Sequence, residues 1–232
     1  DARLTHSYPQ LLAIKQKRST EDKENNNRGS NPPFFLTFMK DFILHKEGIV
    51  SKKNCDRAIS IFEEEKHYKD GTMGRGVVKY DEKKSSEIFL DVGQKNPYND
   101  LFMDGLTLAL DYYKEEYPFI NHVAPWDISR FYKLQRYKPN EGYFALHCEN
   151  DGGGLARMLV WMIYLNDVTD DGFTLFPTQG KSFQPRTGDI VIWPAFWTHP
   201  HHGVTSKTQS KYILTGWWDY NLSINGTDYT NR

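Results

Sequence analysis

FYKLQRYKPNEGYFALHCEN, residues 131–150, reads as a strand, a turn and a second strand. Phe131–Tyr137 is rich in aromatic and apolar side chains, Pro139-Asn140-Glu141-Gly142 is turn chemistry, and residues 143–149 resume an extended pattern. The same grammar continues outward toward the C-terminus. Residues 158–165, 189–193 and 211–218 are short β-rich runs, set apart by turn signals at 151–154, 170–172 and 187–188. Short strands at regular spacing predict an α+β chain that is mainly β, a barrel or sandwich with helices packed on one face.

Working back from residue 131, the pattern turns helical. Ser51 is an N-cap for a helix that carries Cys55, Ala58, Ile59 and Phe62 on one face. Leu106, Leu110, Tyr113 and Tyr117 recur at helical spacing and predict a second helix over 99–117, buttressing the sheet. Residues 15–33 are nearly free of apolar side chains and end in Pro32-Pro33, too little surface to offset the entropy of ordering. The expected organisation is a polar extension or mobile loop over 1–33, a helical support region over 34–127 and a β-rich core over 128–232.

Charge narrows the function classes. Lys and Arg number 29 against 30 Asp and Glu, so the chain lacks the positive field that drives nonspecific nucleic-acid binding. Cys55 and Cys148 stand in unrelated contexts and imply no disulfide framework, which suits a reducing compartment. No apolar run approaches the roughly 20 residues that span a bilayer. A cytoplasmic setting, in a bacterium or a virus-infected cell, is the expectation; because the sequence opens on Asp1, it allows for an upstream segment.

The chemistry lies in Leu146-His147-Cys148-Glu149. In a strand, alternation would put His147 and Glu149 on one face and Cys148 on the other. A histidine about fifty residues on would complete two imidazoles and one carboxylate on one face of an octahedron. Three positions then stay open, the arrangement for an iron(II) that must receive a co-substrate and dioxygen together. His199, His201 and His202 are the candidates for the third ligand. Lys211 lies ten residues after His201 and opens the run Tyr212-Ile213-Leu214, placing a cation on the next strand for the far carboxylate of a 2-oxoglutarate that chelates the metal. That spacing favours His201. Asp151 competes with Glu149, but the glycines at 152–154 mark it as loop.

Residues 128–220 resemble the catalytic domain of prolyl 4-hydroxylase-like iron(II)/2-oxoglutarate dioxygenases, small bacterial and phage forms above all. The matching pieces are Gln135-Arg136-Tyr137, Gly142-Tyr143, the His147 motif, Arg157, and Tyr164-Leu165-Asn166-Asp167-Val168. They continue with Gly172-Phe173-Thr174-Leu175-Phe176-Pro177, Pro185-Arg186-Thr187-Gly188-Asp189, His201 with Lys211, and Thr215-Gly216-Trp217. The resemblance implies a double-stranded β-helix of jelly-roll or cupin type. It implies Fe(2+) on His147, Glu149 and His201, with Lys211, Tyr137 and Thr174 on 2-oxoglutarate and with ascorbate as reductant. Arg157, Trp217 and Tyr143 would line the substrate's place.

The implied reaction hydroxylates a carbon of a prolyl residue in a peptide or protein, releasing succinate and CO2. Trp193, Phe196 and Trp217 are candidate walls for the pyrrolidine ring. The chain departs from the family pattern in three places. Glu149 replaces the usual Asp; the residues before Thr174 are condensed to Gly172-Phe173; and Tyr137 stands ten residues before His147, one more than usual, which predicts a one-residue bulge. The competing readings are the same chemistry on a free amino acid or small metabolite, a non-catalytic metal-containing barrel, and a zinc hydrolase, whose usual helical ligand spacing is missing here.

Overall fold

The computed structural model describes residues 40–73, 76–150 and 154–221, together with the backbone of two short strands beyond them. The polar extension expected over 1–33 and Asp151 lie outside the described residues.

In chain order the elements are β1 (Leu44–Lys46), α1 (Lys52–Glu65), β2 (Lys69–Asp70), β3 (Ser86–Asp91), α2 (Asn99–Glu116), β4 (Trp126–Ile128), β5 (Phe131–Tyr137) and β6 (Arg157–Tyr164). They continue with β7 (Thr174–Phe176), β8 (Lys181–Phe183), β9 (Ile190–Pro194), β10 (His202–Gly203), β11 (Lys211–Tyr220), β12 (Ser223–Ile224) and β13 (Thr227–Asp228). The major sheet is antiparallel, ordered β1-β9-β6-β11-β5-β3-β2, with β4 also on β11. A second sheet runs β10-β7-β8, and His147 bridges His201 beside it. The core is the mainly β, double-stranded β-helix architecture expected from the sequence.

Strand β6, between β9 and β11, shows why the sheet is sandwiched. Leu159, Trp161 and Ile163 pack into a cluster with Cys55, Phe62 and Leu106 of the helices, while Val160, Met162 and Tyr164 join a second cluster with Phe176, Trp193 and Trp217. A strand covered on both faces has no solvent side, hence its unbroken apolar run. Gly216 is required beside it: a Cβ there would sit 2.4 Å from a Trp161 ring carbon and 2.9 Å from the Tyr132 Cβ.

Helix α1 starts as its sequence predicts, with the Ser51 side chain accepting from the Asn54 N–H at 3.2 Å. Its buried face is Cys55, Ala58, Ile61 and Phe62, with Ile59 at the margin. In α2 the buried set is Phe102, Leu106, Ala109 and Tyr113, while Leu110 and Tyr117 are only partly covered. Residues 34–127 also supply β1 to β4, so this region extends the sheet as well as backing it. No helix among the described residues is long and apolar enough to cross a membrane.

One sequence expectation is corrected. Residues 143–149 do not form a strand; they carry isolated bridges at Tyr143, to Lys83, and at His147, to His201. The reason is that successive backbone groups pair with different neighbours: Phe144 N–H with the Glu82 carbonyl, His147 with His201, and Glu149 N–H with the Ala195 carbonyl. The one-residue bulge predicted between Tyr137 and His147 does not lie in β5, which pairs with both β3 and β11 in unbroken register.

Candidate active site

The inward faces of β5, β11 and β6 form the floor of a cavity of about 760 Å³, and the segment around His147 overhangs it. Alternation on β11 sends Lys211, Ile213, Thr215 and Trp217 to this side, with Tyr137, Gln135 and Lys133 of β5 beside the first three. His147, Glu149 and His201 line the same cavity.

These three residues come together although the strand that was to align them is missing. Reciprocal backbone bonds between His147 and His201, of 3.0 and 2.9 Å, bring the two segments into contact. Glu149 Oε1 lies 3.4 Å from His147 Nε2 and 3.7 Å from His201 Nε2, and one ligand atom from each residue falls within 4.8 Å of the others.

The imidazoles are oriented from behind. His147 Nδ1 is 2.9 Å from the Ala145 carbonyl, and His201 Nδ1 is 3.1 Å from the His199 carbonyl. A carbonyl can only accept, so each Nδ1 carries the ring proton and each Nε2 turns a lone pair toward Glu149. Three lone pairs facing one another form a donor set that fits a divalent cation. Burial, reinforced by the neighbouring His147, lowers the His201 pKa and favours the neutral ligand form. Burial alone would raise the Glu149 carboxyl, but with no cation between them the imidazoles can instead donate to it, and these hydrogen bonds with the His147 and Arg157 charges hold it well below the usual carboxylate range. Tyr143 stacks on His147 at 3.6 Å between ring centres, and Phe176 and Trp193 enclose His201 at 5.2 and 4.9 Å.

His199 is buried, with Nε2 2.8 Å from the Asp41 carbonyl, so it holds its own backbone in place and through it the ring of His201. His202 is half-buried on β10 and outside the triad.

Lys211 is buried, and its Nζ donates to the Gly172 carbonyl at 2.8 Å. Among the described residues no carboxylate pairs with it, and burial alone pushes its pKa down to about 8. A buried ammonium without an anion is costly to the fold and fits an incoming carboxylate. Beside it lie Tyr137, whose ring centre is 5.2 Å from the ammonium, and Thr174, whose hydroxyl accepts from Tyr164 at 2.8 Å.

Arg157 and Trp217 line the cavity and meet there, the guanidinium 3.8 Å from the ring centre. Trp193 also lines it, whereas Phe196 is not among the lining residues and Trp197 is 80% exposed. Sequence reasoning missed a buried ionic cluster in the same wall. Glu87 of β3 bonds Gln135 at 2.7 Å and pairs with Lys133 at 3.1 Å and with Lys83. Burial lowers Lys83 to about 8; it would raise Glu87, but the two ammonium groups hold that carboxyl at about 2. The signal was Glu87 itself, a charge directly before the apolar run Ile88-Phe89-Leu90.

The comparisons agree with this geometry. The sequence profile of the 2OG-Fe(II) oxygenase superfamily matches residues 132–219. A protein of Acanthamoeba polyphaga mimivirus with the provisional name prolyl 4-hydroxylase is 32% identical over 114 residues, 41% of this chain and 47% of its own. An Arabidopsis thaliana protein provisionally named prolyl 4-hydroxylase 3 is 26% identical over 133 residues, 44% of this chain and 45% of its own. The matches thus span about half the length of these curated relatives.

Among solved structures, the collagen prolyl hydroxylase of Paramecium bursaria Chlorella virus-1 covers 80% of this chain and 99% of its own, with TM-score 0.60 and 18% identity. A Pseudomonas putida prolyl-4-hydroxylase covers 78% and 94%, with TM-score 0.61 and 15% identity. These two likenesses establish the shared fold. Profile, fold and relatives together make this chain similar to prolyl 4-hydroxylase-like proteins of the 2OG-Fe(II) oxygenase superfamily.

Proposed function

We propose that this chain is an iron(II)- and 2-oxoglutarate-dependent dioxygenase that hydroxylates a prolyl residue in a peptide or protein, releasing succinate and CO2. The observation that carries the reading is the coexistence, in one cavity, of a lone-pair triad that needs a cation and a buried Lys211 that needs an anion. In this reading residues 128–232 form the catalytic core, 34–127 support it and 1–33 extend it.

His147, Glu149 and His201 would hold Fe(2+), which when bound supplies oxygen activation coupled to decarboxylation of 2-oxoglutarate. Lys211 would neutralise the far carboxylate of the co-substrate, with the Tyr137 and Thr174 hydroxyls as further polar contacts. Tyr143, Trp193 and Phe176 wall in the imidazoles and keep bulk water from them. Trp217 and Trp193 offer flat apolar walls suited to a pyrrolidine ring. A peptide substrate is also suggested by a structural neighbour, the Trichoplax adhaerens prolyl hydroxylase, solved with a peptide fragment of a hypoxia-inducible-factor degradation domain. Ascorbate is the external reductant of the reading, tested by whether repeated turnover depends on it.

The deciding experiment offers proline-rich peptides and free proline to the iron-loaded protein, following succinate and a mass gain of roughly 16 Da, one oxygen. Succinate with oxygenated peptide is the expected result. Oxygenation of free proline alone would move the substrate to a small metabolite, and no succinate with any substrate would refute the activity.

A further inference from the structure

Glu149 stands where a carboxylate one methylene shorter is usual, and a longer arm can swing both oxygens onto a metal. The structure divides its two oxygens. While Oε1 faces the imidazoles, Oε2 accepts from Trp217 Nε1 at 3.0 Å and from Arg157 Nη1 at 3.1 Å. The same Arg157 Nη1 donates to the Glu149 backbone carbonyl at 3.1 Å, and its guanidinium lies on the Trp217 ring at 3.8 Å. Arg157 therefore grips the backbone and the side chain of the residue together.

Gly154 leaves room for that grip. A Cβ at this position would come within 2.4 Å of the Glu149 carbonyl oxygen and 2.7 Å of the Arg157 Cδ. We propose that Arg157 and Trp217 are positioning residues that engage Oε2 of Glu149 and so keep it a one-oxygen metal ligand, leaving three coordination positions free. The inference rests on the metal-centre reading above and assigns to these two residues a task other than contact with substrate. Partners of this kind fix a ligand's orientation, and their loss typically weakens metal binding by about 10–100-fold.

The test is Co(II) binding to the full chain, by calorimetry and by the cobalt absorption spectrum, with no turnover required. Trp217→Phe and Arg157→Gln are each expected to weaken Co(II) about tenfold or more and to shift the spectrum toward higher coordination. Gly154→Ala should do the same although it removes no functional group. Trp217→Phe keeps a ring in the packing and carries the test if Arg157→Gln does not fold. Affinities and spectra equal to wild type, with only peptide KM raised, would overturn the clamp alone and make both residues substrate wall. Failure of the wild-type chain itself to bind Co(II) would overturn the metal centre and the clamp together.

Discussion

Lys211 lies directly opposite Tyr137 across the β11–β5 ladder, with its ammonium 5.2 Å from the centre of the tyrosine ring. The pair closes one end of the cavity floor with a cation that no carboxylate among the described residues neutralises. Since burial sets Lys211 near 8, its charge is present at neutral pH and lost in mild alkali. Affinity of the metal-loaded protein for 2-oxoglutarate should fall by up to tenfold per pH unit above about 8. Calorimetry from pH 7 upward checks this, and Lys211→Arg should flatten the dependence.

Without an anion the same lysine weakens the fold. Its folded pKa of about 8 lies below the ordinary 10.5, so between those values the unfolded chain binds more protons and stability rises with pH. Lys211→Met should stabilise the ligand-free protein at pH 7 by ~1–3 kcal/mol, remove this lysine's part of that rise, and abolish 2-oxoglutarate binding. Urea melts at pH 7 and 10 measure the stability effects.

Glu87 neutralises Lys83 and Lys133 inside the cavity wall. Glu87→Gln leaves the buried Lys83 and the half-buried Lys133 without this anion and should cost ~3–5 kcal/mol at pH 7. In the wild type this contribution is complete above the ordinary carboxyl value of 4.5 and fades as pH falls toward about 2, so the variant's deficit should shrink in acid. Denaturant melts of both proteins across that range decide the point.

His201→Ala and Glu149→Ala each remove one lone pair from the triad. Both should fold, bind Co(II) far more weakly and form no succinate above background. Undiminished turnover in either would sink the ligand assignment.

Gly216→Ala places a methyl where the Trp161 ring lies, 2.4 Å from one of its carbons. Overpacking of this kind costs ~1–3 kcal/mol, read as a lower thermal midpoint.

The sequence revealed the strands because apolar alternation and turn residues are local signals: Phe131–Tyr137 was bounded to the residue, and Lys211 was placed at the head of β11. The segment 143–149 misled for the opposite reason. Its backbone partners, Glu82, Ala195 and His201, are distant in the chain, and nothing in the segment's own pattern names them. His147 and Glu149 come together all the same, but through these distant partners and not through strand alternation. The contacts of Arg157 and Trp217 to Glu149 were likewise illegible, because they join β6 and β11 through a third segment.

The unbroken ladder between Lys211 and Trp217 also limits how the gene can vary. Both side chains face the cavity only because they stand an even number of positions, six, apart on one strand. Loss or gain of a single codon between them would turn one toward the helices, parting the co-substrate anchor from the Glu149 clamp. Insertions and deletions along this stretch should therefore survive only in pairs, while the loops at either end are free to lengthen.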